Sequence, residues 1–161
     1  MSRTKITLMI VSLALWGCVA QPSQNSGPKK PAVNLDAVLP PQSLLHDDTN
    51  TALTHDRGES RLAYVGVWAT DGDKCAMMDQ TAFEGFAVIT PDSIRRSAET
   101  CTFEPGEPGS TSVRLDATCK ARGNTSTQRT ITLQMLSSRS LYLSATSATP
   151  AATMVRCRLL Q

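Results

Sequence analysis

In the C-terminal half of this chain apolar and polar residues trade places at every second position, and that rhythm admits only extended strands with one wet face. Val113, Leu115, Ala117 and Cys119 alternate with Arg114, Asp116, Thr118 and Lys120. Ile131, Leu133 and Met135 alternate with Thr130, Thr132 and Gln134, and Leu141, Leu143 and Ala145 alternate with Ser140, Tyr142 and Ser144. Val155, Cys157 and Leu159 alternate with Arg156 and Arg158, so the same rule sends the first three inward and the arginines to water.

Residues suited to tight turns stand between these runs: Pro91-Asp92, two prolines and two glycines within 105–109, Gly123-Asn124, Ser137-Ser138 and Thr149-Pro150. With residues 62–69 and 83–90 added, about seven short strands follow, joined by hairpins. The expected fold is all-β, a small antiparallel barrel or sandwich over residues 61–161. A length of 161 residues fits one such domain with appendages. Aromatic residues make up only 4%, so the core must be mainly aliphatic. Trp68 is the exception and is expected inside, because Tyr64, Gly66 and Trp68 share one strand face.

The N-terminus obeys a different logic. Arg3 and Lys5 precede an apolar run over residues 6–16, the order of a secretory signal, and the run is shorter than the ~20 residues a membrane span needs. Leu15-Trp16-Gly17-Cys18 resembles the lipobox of bacterial lipoproteins. That resemblance implies a signal peptide over residues 1–17, removed as the Cys18 thiol is acylated, and hence attachment to a membrane of the cell envelope. Ordinary cleavage after Ala20 is the alternative. Val19 stands where an Asp would resemble an inner-membrane retention signal, so similarity to enterobacterial lipoproteins implies the outer membrane, facing the periplasm. Residues 18–60 then read as a lipidated, disordered tether, rich in Pro, Ser, Asn and Asp. The apolar stretch 33–45 within it would either dock on a folded surface or be incidental, and composition favours the second.

Either cleavage removes Cys18 from the disulfide count and leaves Cys75, Cys101, Cys119 and Cys157, an even set in an oxidising compartment. Two structural disulfides are expected, with three possible pairings. No C-x-x-C spacing points to a metal or a redox centre.

Both histidines, His46 and His55, fall in the expected tether, which leaves the domain without the base that a Ser-His-Asp or Cys-His nucleophile needs. Asp71-Gly72-Asp73, with Asp79 and Glu84 nearby, reads as a turn rather than a paired-carboxylate site. Accordingly no catalytic residue, cofactor or metal site is expected. The net charge of +2 is spread singly, without the clustered stripe that nucleic acid requires. Arg95, Arg96, Lys120, Arg122 and Arg129 would at most form a modest basic patch, and outward charges on strands ordinarily serve solubility.

Gly66-Val67-Trp68 followed by Cys75 and Cys101 resembles the opening of small secreted β-barrel inhibitors of bacterial metalloproteases. The resemblance implies the pairs Cys75–Cys101 and Cys119–Cys157. The whole layout, with its final Arg156-Cys157, is also similar to small uncharacterised lipoproteins of proteobacteria, which brings no activity. The expectation is therefore a membrane-tethered, non-enzymatic domain that binds an envelope protein or ligand, with inhibition of a periplasmic enzyme as the alternative.

Overall fold

The alternating runs form strands in the computed structural model, which describes residues 37–56, 62–121, 125–146 and 148–160. The expected signal peptide, Cys18 and the first part of the tether lie outside the described residues. Eight strands close into a barrel: β1 (Gly66–Ala69), β2 (Phe86–Ile89), β3 (Ser93–Arg95), β4 (Glu99–Phe103), β5 (Ser112–Ala121), β6 (Ser126–Ser137), β7 (Ser140–Leu143) and β8 (Ala152–Arg156). Each pairs antiparallel with its sequence neighbours, and β8 returns to β1. Closure satisfies the strand edges that an open sandwich would leave exposed. The count is eight rather than seven because the β3–β4 hairpin is too short to show a sequence period.

Alternation worked where a strand has one wet face. Leu115, Ala117, Cys119, Ile131, Leu133, Leu141 and Leu143 all point into the barrel. At β8 the period was right and the direction wrong. Met154 enters the interior, whereas Cys157 and Leu159 join a second apolar cluster on the outside of the barrel. That second cluster also takes Val67, Ala69 and Val88, so β1 is buried on both faces.

What covers this outer face is the segment expected to be disordered. Residues 37–39 lie alongside residue 158, with the Leu39 N–H donating to the Arg158 carbonyl at 2.8 Å. A 3₁₀ turn (Gln42–Leu44) follows, and then helix α1 (Asp47–Asp56), which buries Thr49, Ala52 and Leu53. The disordered-tether expectation is thus corrected for residues 37–56. Two acids open α1 and His55 sits in its last turn, which suits the helix dipole. Its few apolar groups can be buried because the outside of β1 and β2 is itself apolar.

The disulfides join Cys75 to Cys157 and Cys101 to Cys119, correcting the pairing implied by the inhibitor resemblance. Cys101 and Cys119 are directly opposed on β4 and β5, both facing inward. Cys75 lies in a second 3₁₀ turn (Gly72–Met77) in the outer cluster, beside the chain end that follows β8. Asp71 caps that turn through the Asp73 N–H at 3.3 Å, so Asp71-Gly72-Asp73 is the turn its composition indicated.

Trp68 is completely buried inside the barrel, as its strand face requires. Its indole N–H donates to the Tyr64 carbonyl at 2.9 Å, and the Arg156 guanidinium lies 4.2 Å from the ring centre. The Tyr64 hydroxyl accepts the Gly106 N–H at 2.9 Å and so draws the β4–β5 loop over this barrel end. A side chain at Gly106 would put its Cβ 2.7 Å from Val113 and 3.1 Å from that hydroxyl. Burial pushes the Tyr64 phenol above its ordinary value, with the Gly106 N–H opposing. Tyr64→Phe leaves that N–H without its partner and is expected to lower stability by about 1 kcal/mol, read as a lower urea midpoint with an unchanged m-value.

Candidate functional site

At the barrel end opposite Tyr64, chain segments from four places meet. Asp79 follows the second 3₁₀ turn in a left-handed conformation, φ 61°, which Asp tolerates better than most residues. There its carboxylate, almost fully buried, accepts the Thr49 hydroxyl at 2.6 Å, the His46 N–H at 2.9 Å and the Arg95 guanidinium at 2.8 Å. The His46 imidazole Nδ1 lies 3.2 Å from the other side of the same group. Arg95, on β3, also grips Asp48 of α1 through two nitrogens, donates to Thr49 at 2.8 Å and lies over the Phe86 ring. Burial alone would raise the Asp79 carboxyl, but the hydrogen bonds from Thr49 and His46 and the charge of Arg95 outweigh it and hold it below the ordinary Asp value. In Arg95 burial is likewise outweighed, here by Asp48 and Asp79, and the guanidinium is held above its usual value.

Arg96 and Glu99 flank the tip of the β3–β4 hairpin and are both buried. Arg96 donates to the Pro150 carbonyl at 2.8 Å, and Glu99 accepts the hydroxyls of Thr146 and Thr149, so the pair ties the hairpin to the β7–β8 connection. Burial lowers the Arg96 value, offset in part by Glu99. The Glu99 carboxylate also lies close to Cys101 and Cys119, but those sulfurs are bonded to each other and supply no thiolate to a metal.

Between these two networks runs an open groove of about 790 Å³, lined by Phe83, Phe86, Arg95, Ser97, Thr100 and Lys120 among others. Phe83 and Phe86 pack ring to ring at 5.2 Å and give it an apolar part. Exposed Glu84 and Lys120 give it charge of both signs, and the exposed His46 imidazole adds a polar group. Its deep carboxylates, Asp79 and Glu99, are already engaged by structural donors, so the arrangement offers contact and hydrogen bonding rather than a poised acid–base pair.

The structure places the sequence candidates as follows. Arg95 and Arg96 do not form a surface patch: Arg95 is turned into ion pairs with Asp48 and Asp79, which only the fold brings near, and Arg96 faces Glu99 across the tip of its own hairpin. Lys120 is exposed at the groove, Arg129 donates to Thr127, and Arg122 lies outside the described residues. His46, assigned to a tether, stands at the groove and contacts Asp79. Among the groove residues, His46, Asp79, Glu84, Arg95, Arg96 and Lys120 stand out in the sequence, whereas Phe83 and Phe86 give no signal beyond their place in an expected strand. No helix among the described residues is long and apolar enough to cross a membrane. No family model, curated protein or solved structure matches this chain.

Proposed function

We propose that the protein is a non-enzymatic binding lipoprotein of the bacterial cell envelope, which recognises its partner or ligand with the groove outside the barrel end. One observation carries the choice of site: the barrel interior is filled by its own side chains, with Trp68, Ile131, Leu133, Leu141 and Met154 all within 1% of full burial. A ligand-holding barrel keeps that space open. The groove has the volume of a small-molecule or peptide-side-chain site, and mixes an apolar part with a few polar groups. The alternative, inhibition of a periplasmic enzyme, keeps the Gly66-Val67-Trp68 likeness and loses the cysteine pairing that the likeness implied.

A photo-crosslinking residue placed at exposed Glu84 should give a discrete adduct in living cells, while the same residue at Thr130, on the far wall, should give none. Equal labelling at both positions, or no adduct at either, would overturn the groove assignment. Anchoring is tested separately. Cys18→Ser should abolish fatty-acid labelling and move the protein to the soluble fraction, since one acylated residue carries the attachment. Unchanged membrane fractionation of that variant would contradict it.

A further inference from the structure

The barrel interior contains no residue from the segment 37–56, because every member of that core lies between Leu62 and Met154. The segment contributes only to the outer cluster, where α1 supplies Ala52 and Leu53. Residues 37–39 are held by backbone hydrogen bonds to Gly72 and Arg158, whereas α1 and the residue before it are held by ion pairs and hydrogen bonds near the two ends of the helix. Asp48 in the first turn meets Arg95, and Asp56, the last residue, meets Arg156. Thr49 and the His46 N–H meet Asp79. The Asp48 and Asp56 ion pairs each set a helix carboxylate against a barrel arginine. We propose that residues 45–56 are an acid-releasable strap, which leaves the wall of the folded barrel as one unit and uncovers the apolar strip of Val67, Ala69 and Val88.

The titratable and charged groups around Asp79 are Arg95 from β3, Asp48 from α1 and the His46 imidazole from the turn before it; Glu84 and Lys120 line the same groove. Asp79 is held below its ordinary value, so its contribution is fully present above the ordinary Asp range and is lost as pH falls through the lowered folded value. That places release in the carboxylate range, below the ordinary Asp value. The barrel survives because no strap residue enters its core or supplies a disulfide cysteine. Local release of this kind is ordinary for a segment with few buried apolar groups.

The test replaces the strap's Asp48 and the Asp79 that holds it by their neutral isosteres, Asp48→Asn with Asp79→Asn, in the otherwise intact chain at neutral pH. Hydrogen exchange of the amides in 47–56 should quicken at least tenfold with β5 and β6 unchanged, and the emission of anilinonaphthalene sulfonate should rise as the strip is bared. Loss of protection in β5 and β6 together with the strap, or no change in the strap, would overturn the proposal. Should the double variant not fold, the parent decides: on lowering the pH, strap protection must go before the near-ultraviolet circular dichroism of the barrel, and coincident loss refutes the idea.

Discussion

Replacing Cys75 and Cys157 together by alanine is expected to destabilise the domain more than replacing Cys101 and Cys119. The first bridge closes a separation of 82 residues and the second one of 18. Restricting the unfolded chain by such loops is worth about 4–5 kcal/mol for the long one and about 3 kcal/mol for the short one. The long bridge also sits where the 3₁₀ turn, the end of β8 and the outer cluster meet, so its loss frees three elements at once. Thermal unfolding of the two double variants gives the ranking. Peptide mapping without reduction should recover Cys75 linked to Cys157, and a Cys75–Cys101 peptide would refute the scheme.

Trp68→Ala is the second large effect. The side chain is wholly buried, is the largest in the core, donates its indole N–H to the Tyr64 carbonyl and lies under the Arg156 guanidinium. Truncating a buried Trp typically costs about 3–5 kcal/mol. For a domain of this size that corresponds to a fall in melting temperature of roughly 10–20 °C. Arg156 would lose its ring partner while still holding the carbonyls of Ala63 and Val65. An unchanged melting point would show that Trp68 is not part of the stabilising core.

Strands with one wet face were legible because burial and sequence period coincide: Leu115, Ala117 and Cys119 read correctly from alternation alone. Alternation misled at Val155, Cys157 and Leu159, since it reports two faces without saying which is covered, and here the outer one is covered by α1 and its neighbours. Helix α1 was hidden by its composition. Asp47-Asp48-Thr49-Asn50 looks like linker, and only Ala52 and Leu53 are there to dock it. The groove was the least legible part. Its defining contacts, Arg95 with Asp48 and Asp79, join residues 47 and 16 positions apart, and no local rule of sequence links them.

The closing seam between β8 and β1 has a further meaning for how the chain reaches this shape. Seven of the eight strand pairings are hairpins or near neighbours, and the longest, β5 with β6, registers Ser112 with Gln134 through Lys120 with Ser126. The eighth rests on two residue pairs, Trp68 with Arg156 and Ala69 with Val155, brought from opposite ends of the domain. Loop-closure entropy is smallest for the hairpins and greatest for the seam. Assembly is therefore expected to run outward from β5 and β6. Cys101 and Cys119 meet as soon as β4 joins β5, whereas Cys75 and Cys157 meet only once the ring has shut, so the order in which thiols disappear during oxidative refolding is a clock for barrel closure.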